Sequence, residues 1–338
     1  MKIRIHHHLI YNLHFRQVSY IIIHGDAMKV IEFSPHGFCK GVVNAITIIN
    51  KVIEDPFIPR PIYLLGSLVH NKQINQAIES KGVIVLDGSS RDDMLDQIAF
   101  GTVVLTAHGV SPSIYEKVSK KGLFLIDSTC KDVMRSHKII REKIDEGFTV
   151  LYIGKLGHPE TEGVLGIHPE IVLIETLDDI STLVLKNKKL AVTNQTTMSI
   201  YDIYTMFEKL KQLFPDIVLI DELCYATKQR QQAVIEQSKL CDAVIVVGDR
   251  SSNNCKKLAE IAKNVAKKDV YQIQSVEELD LDTIRKHSII GVTSAASTPY
   301  AITREVIEIL EQLDEIHTST VKSSLKLQDY LIIKKHRL

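Results

Sequence analysis

The strongest constraint on this chain is a long-period repeat. Cys39, Cys130 and Cys224 stand 91 and 94 residues apart, each after a β-branched run and before a helical pattern: "KVIEFSPHGFCKGV", "GLFLIDSTCKDV" and "DIVLIDELCYATKQR". A polar strand end follows each cysteine after 28 to 31 residues: His70 with Asn71 in "GSLVHN", His158 with Glu160 in "GHPETEG", and Ser252 in "GDRSSNN". A second follows after 65 to 73 residues: His108 in "TAHGV", Gln195 in "TNQTT" and Ser297 in "TSAASTP". Three series in the same order imply three similar α/β units, each presenting one cysteine and two polar strand ends.

Short apolar runs such as "PIYLLG", "TVVLTA", "TVLYIG", "KLAVT", "AVIVVG" and "SIIGVT" alternate with helical stretches, as expected of buried parallel strands. Ligands of open α/β sheets bind at the carboxyl ends of the strands. Three units turning those ends to one axis would gather three cysteines inside a ring of His, Ser, Thr, Asn, Gln and Glu. The expected division is a strand over 28–39 joining the third domain, then α/β domains over 40–129, 130–223 and 224–316, and a loosely attached tail over 317–338. The segment 1–27 makes a poor signal peptide, because His, Asn and Arg break its apolar stretches. It is expected to be a non-native or disordered extension, the functional chain starting at Met28.

Composition narrows the partners. Of 338 residues, 41 are Lys or Arg and 41 are Asp or Glu, so no global field attracts nucleic acid, and an anion must be held by local donors. No apolar stretch approaches the roughly 18 residues needed to span a bilayer. Five cysteines are no secreted disulfide framework, and their odd number agrees with a reducing cytoplasm.

Three convergent cysteines admit several chemistries. A cubane iron–sulfur cluster held by three thiolates would keep one iron open for substrate. Catalytic zinc, and separate buried structural cysteines, are the alternatives; structural zinc prefers four ligands and close pairs. A cysteine at a helix start should have its thiolate favoured by the helix dipole. Cys241 reads as core and Cys255 as a spare thiol. Among the polar groups, Glu160 is the sharpest acid candidate, because desolvation and nearby negative charge would raise its pKa toward neutrality.

The motifs "GFCKGV", "VHN", "AHGV", "STCKDV", "GHPETEG", "NQTTMS", "CYATKQRQ", "VVGDRSSNN" and "GVTSAASTP", in that order, closely resemble the LytB/IspH family of 4-hydroxy-3-methylbut-2-enyl diphosphate reductases. The resemblance covers roughly residues 28–315. It implies an α/β fold of three similar domains in a pseudo-threefold cloverleaf around a central [4Fe–4S] cluster with three Cys ligands and an open iron. It implies an oxidoreductase performing the last step of the methylerythritol phosphate route of isoprene biosynthesis, giving isopentenyl and dimethylallyl diphosphate. By motif, Cys39, Cys130 and Cys224 would ligate the cluster. His70, His108, His158, Ser252, Asn253, Asn254 and Ser297 would hold the diphosphate, Glu160 would deliver protons, and Thr196 would orient the substrate hydroxyl. The expected partners are a small allylic diphosphate and an external one-electron donor, ferredoxin or flavodoxin, with neither nucleic acid nor membrane.

The chain departs from the family pattern at His36 and Asn44, where arginines are usual. Asn253 replaces a serine, its amide being expected to donate still, and Ala295 replaces a glycine and is expected to tighten the last pocket. Two other classes stay open: another three-domain [4Fe–4S] enzyme, of dehydratase or quinolinate synthase-like type, and a non-enzymatic iron–sulfur sensor.

Overall fold

The structure is a computed structural model describing residues 28–88, 90–185 and 189–333, so the segment 1–27 lies outside the described residues. After β1 (Lys29–Glu32), the first unit runs α1 (Lys40–Glu54), β2 (Ile62–Leu65), α2 (Lys72–Glu79), β3 (Ile84–Leu86), α3 (Arg91–Asp96), β4 (Thr102–Leu105), α4 (Pro112–Lys120) and β5 (Phe124–Asp127). The second runs α5 (Lys131–Asp145), β6 (Thr149–Ile153), α6 (Pro159–Leu165), β7 (Val172–Ile174), α7 (Leu177–Ser181), β8 (Leu190–Asn194), α8 (Ile200–Leu213) and β9 (Val218–Leu219). The third runs α9 (Tyr225–Gln237), β10 (Ala243–Val247), α10 (Asn253–Asn264), β11 (Asp269–Ile273), α11 (Leu281–Ile284), β12 (Ile289–Ser294) and α12 (Tyr300–Glu311).

The strands form three parallel four-stranded sheets, ordered β3-β2-β4-β5, β7-β6-β8-β9 and β11-β10-β12-β1. All three share one topology. The two central strands carry the polar ends seen in the sequence, and the order reverses between them, which opens a crevice at their carboxyl ends. The fourth strand differs in origin: β5 and β9 close their own units, whereas the third sheet is closed by β1 from the other end of the chain, paired Lys29 to Ile289 and Glu32 to Val292. Each cysteine therefore follows the last strand of one sheet and starts the first helix of the next unit. It sits on the crossover between units rather than within one.

Burial follows strand position. β4, β8 and β10 are buried at every residue, as a strand covered by helices on both faces must be, while the edges β5 and β9 are half or fully exposed. Helix α1 buries Val42, Ala45, Ile46, Ile49 and Val52, the stripe a 3.6-residue period puts on one face.

The tail is not loose. Glu305 on α12 accepts hydrogen bonds from Ser323 Oγ at 2.8 Å and from Ser324 N and Oγ at 2.6 and 3.0 Å. Beyond it Leu331 is buried in the core of the first unit, and Tyr330 touches the cores of both first and third units. Its few apolar residues, among serines and lysines, are enough to strap one unit to another.

Candidate active site

The three cysteines N-cap the three long helices that open the units: Cys39 on α1, Cys130 on α5 and Cys224 on α9. Cys39 Sγ accepts from Val42 N at 3.5 Å, and Cys224 Sγ accepts from Thr227 N at 3.4 Å. All three are free thiols lining one central cavity. Gly41 makes room for two of them, since a Cβ there would lie 2.6 Å from Cys130 Sγ and 3.8 Å from Cys39 Sγ. At Cys130 and Cys224 burial opposes the thiolate preference expected at a helix start. Burial outweighs the helix dipole and pushes Cys130 up to about 11 and Cys224 up to about 12. A positive metal centre would reverse that balance and displace the thiol protons. Among the described residues no three His, Cys, Asp or Glu side chains gather tightly enough to hold a single metal ion. The donor set, three free thiols with Gly41 keeping the space beside two of them clear, fits a metal group held by thiolates.

Facing the cysteines is a wall of histidines from two units. His70 follows β2, His108 follows β4, and His158 caps α6, their ring centroids 4.4 to 5.6 Å apart. Desolvation dominates their titration, pulling His70 to about 4, His158 to about 3 and His108 well below its ordinary value. At neutral pH they are uncharged donors or acceptors rather than cations. His158 Nδ1 accepts from Glu160 N at 3.2 Å, which leaves its proton on Nε2. The third unit adds Ser252, the cap of α10, whose Oγ accepts from Cys255 N at 3.3 Å and keeps its own proton free to donate. Asn254 Oδ1 is occupied by Ala296 N at 2.9 Å, whereas Asn254 Nδ2 and His70 Nε2 are buried with no hydrogen-bond partner among the described residues. Two buried polar atoms without partners, on the lining of one cavity, are what a polar ligand would satisfy.

The acid stands beside His158, in the first turn of α6. Glu160 is 2 % exposed, and burial raises its pKa to about 7 against the pull of its hydrogen bonds. Thr196 N donates to Oε1 at 2.8 Å, Thr196 Oγ1 donates to Oε2 at 2.9 Å, and Tyr152 OH stands 3.5 Å from Oε1. Desolvation is the main cause, as expected; the nearby negative charge reduces to a minor contribution from Asp132.

Every site residue drawn from the sequence lines this one cavity: Cys39, Cys130, Cys224, His70, His108, His158, Glu160, Thr196, Ser252, Asn253, Asn254 and Ser297. Two expectations change. The amide of Asn253 spends its donors on Thr197 O and Oγ1, at 2.8 and 3.2 Å, tying the third unit to the second instead of reaching into the cavity. Ala295 is buried core beneath the cavity, whose lining is Ala296. Cys241 and Cys255 are both buried in that same core, and Gln272 Nε2 donates to Cys255 Sγ at 3.3 Å. Sequence reading missed Arg230, whose buried guanidinium donates to Gly37 O at 2.5 Å and faces Cys39 and Cys224. Its position six residues after Cys224, on the same helix α9, was the available signal.

Comparison with known proteins places these features. The model of the LytB protein family matches residues 30–311. The 4-hydroxy-3-methylbut-2-enyl diphosphate reductase of Geobacillus thermodenitrificans is 46% identical over 309 residues, covering 91% of this chain and 98% of the relative. The enzyme of the same name from Bacillus subtilis is 47% identical over 294 residues, 87% of this chain and 94% of that one. Among solved structures, the E-1-hydroxy-2-methyl-but-2-enyl-4-diphosphate reductase of Plasmodium falciparum superposes with a TM-score of 0.77 at 33% identity, over 84% of this chain and 88% of that one.

Proposed function

The chain belongs to the LytB family, and from that premise we propose that its central cavity binds 4-hydroxy-3-methylbut-2-enyl diphosphate and reduces it to isopentenyl and dimethylallyl diphosphate. This is the last step of the methylerythritol phosphate route. The reaction breaks the allylic C–O bond, takes up two electrons and two protons, and releases the hydroxyl oxygen as water. The observation that carries the reading is the convergence on one cavity of three free cysteines, a wall of neutral donors and a buried carboxyl that titrates near neutrality.

Cys39, Cys130 and Cys224 are the residues to hold the iron–sulfur group, read as one [4Fe–4S] cluster with an open iron. When bound, the cluster supplies Lewis acidity and electrons one at a time. The other groups bind and protonate. His70, His108, His158, Ser252, Asn254 and Ser297 offer N–H and O–H donors to the diphosphate, and Asn253 steadies their wall through Thr197. Holding that end fixes the allylic hydroxyl relative to Thr196, so that orientation is settled before the C–O bond weakens. Thr196 Oγ1, hydrogen-bonded to Glu160 Oε2 at 2.9 Å, is the hydroxyl that would relay a proton between Glu160 and the allylic oxygen. A protonated Glu160 gives its proton through Thr196 to the departing oxygen, which leaves as water. A second proton closes the allylic fragment at either of two carbons and sets the product pair. Burial does the tuning: at about 7, Glu160 holds a proton at neutral pH and can still release it.

Among the described residues no helix is long and apolar enough to cross a membrane. We read the enzyme as cytoplasmic, in keeping with its free cysteines. The sequence carries neither a flavin fingerprint nor a second cluster motif, so electrons come from an external one-electron carrier, ferredoxin or flavodoxin. The test is anaerobic turnover of the diphosphate substrate with a chemical reductant. Formation of both five-carbon diphosphates is expected; a cluster-loaded protein that leaves the substrate intact overturns the assignment.

A further inference from the structure

Behind the histidine wall lies a cation that the mechanism above does not use. Arg91 opens α3 and sends its guanidinium toward the carboxyl end of β4, where Nη2 donates to Thr106 Oγ1 at 3.1 Å. The same nitrogen lies 3.8 Å from the point where a Cβ on Gly66 would sit, while Nη1 is closed off from solvent with no hydrogen-bond partner among the described residues. Thr106 is fully buried, and its hydroxyl faces His108 Nδ1 at 3.5 Å. A guanidinium only donates, so Thr106 Oγ1 accepts from Arg91 and its single proton is left for His108. With that proton given to His108 Nδ1, the imidazole proton is held on Nε2. His158 is fixed in the same sense by Glu160 N, so two histidines from different units present the same tautomer.

We infer that Arg91 is a positioning residue for anion capture: through Thr106 it locks His108 as the Nε2–H tautomer, and its buried charge supplies the attraction that the neutral histidines lack. The inference rests on the reading that these histidines hold the diphosphate. Its electrostatic surroundings agree. Arg91 helps keep His70, His108 and His158 unprotonated. Other charges face the wall as well: Asp249 after β10 opposes this effect at His70, while Lys256 on α10 reinforces it at His70 and His158, and Lys155 after β6 reinforces it at His158. Burial lowers Arg91 itself to about 10, with Glu162 on α6 pulling the other way, so it stays charged at neutral pH. The divided arrangement suits a diphosphate. A cation one layer back attracts the anion without the tight ion pair that would slow product release.

The test compares Arg91→Met, Arg91→Lys, Thr106→Val and His108→Ala in the cluster-loaded protein, with folding checked by thermal melting. Inorganic pyrophosphate affinity, KM, kcat and the 15N signals of His108 are read together. Arg91→Met is expected to weaken pyrophosphate binding and raise KM by about tenfold with kcat within about threefold. Arg91→Lys is expected to recover most of that affinity. Thr106→Val, which keeps shape and removes the hydroxyl, is expected to turn the single Nε2–H signal of His108 into a tautomer mixture, with a smaller loss of affinity. An unchanged tautomer in Thr106→Val, or unchanged affinity in Arg91→Met while His108→Ala binds pyrophosphate weakly, overturns this inference alone. If His108→Ala binds pyrophosphate as well as the parent, the assignment of the histidines to the diphosphate falls with it.

Discussion

Two sets of groups in the central cavity, the three histidines and the neighbouring Glu160, are made by the same force with opposite results. At the histidines burial drives imidazoles toward neutrality, His158 to about 3 and His70 to about 4. At Glu160 burial drives a carboxyl toward neutrality as well, but for an acid that means keeping its proton up to about pH 7. Desolvation penalises charge of either sign, so the histidines become uncharged hydrogen-bond donors and the carboxyl a loaded proton source. A cavity built this way offers a diphosphate uncharged donors beside a carboxyl that keeps its proton near neutrality.

The largest expected effect comes from removing the acid. Glu160→Gln keeps the shape and the bond from Thr196 N but removes the transferable proton, and turnover is expected to fall roughly 10²- to 10⁴-fold. Bound iron and pyrophosphate affinity should be unchanged. Loss of iron in that variant would mean that Glu160 supports the cluster site instead of the proton transfer.

Removing one hydrogen-bond donor should act on binding. Asn254→Ala deletes a buried amide nitrogen that has no partner among the described residues, and KM is expected to rise about tenfold with a smaller change in kcat. Equal falls in kcat and kcat/KM would show that Asn254 acts only in the transition state and would merge the donors and the acid into one function.

The comparison also has a signature in stability. A carboxyl raised from its ordinary 4.5 to about 7 lets the folded state bind more protons than the unfolded state between those values. Its contribution is therefore full below about pH 4.5 and is lost as pH rises through 7, an effect of roughly 3 kcal/mol. The histidines act in the reverse direction, since a folded pKa below the ordinary 6.5 favours folding as pH rises. Denaturant midpoints of the parent and Glu160→Gln, measured from pH 5 to 8, should differ by a curve falling with pH; a flat difference would mean that Glu160 titrates as if exposed. The smallest effect concerns Tyr152, which stands behind the acid and favours its ionised form. Tyr152→Phe is expected to move the alkaline limb of the pH–rate profile upward by a fraction of a unit with less than threefold change in maximal rate.

How much of this was legible in the sequence depends on what a linear pattern can encode. The cysteine spacing and the polar residues behind apolar runs pointed to three units, to the three cysteines and to polar groups such as His70, His108, His158, Ser252 and Ser297, because a strand's carboxyl end is marked locally by where its apolar run stops; Thr196, Asn253 and Asn254 came from the family resemblance, and lining residues such as Asp132, Val133 and Thr197 from neither. Strand register is not marked locally. Reading a strand over 28–39 as part of the third domain does not itself give the register: β1 pairs with β12, Lys29 opposite Ile289, more than two hundred positions apart. Strand β11, "DVYQI", hid because a half-exposed edge strand needs few apolar residues. Arg91 hid in a polar helix start, where an arginine ordinarily meets solvent. The tail was misjudged because Leu331 and Tyr330 are isolated in sequence and find their cores only in three dimensions.

The central claim is that Cys39, Cys130 and Cys224 together hold one iron–sulfur cluster in the cavity lined by the histidines and Glu160. Iron and acid-labile sulfide analysis of anaerobically purified protein, beside Cys130→Ser, tests it most directly. About four irons and four sulfides per chain are expected in the parent, with most of both lost in the variant. A colourless parent containing zinc, or a Cys130→Ser variant that keeps its full iron and sulfide, would contradict it.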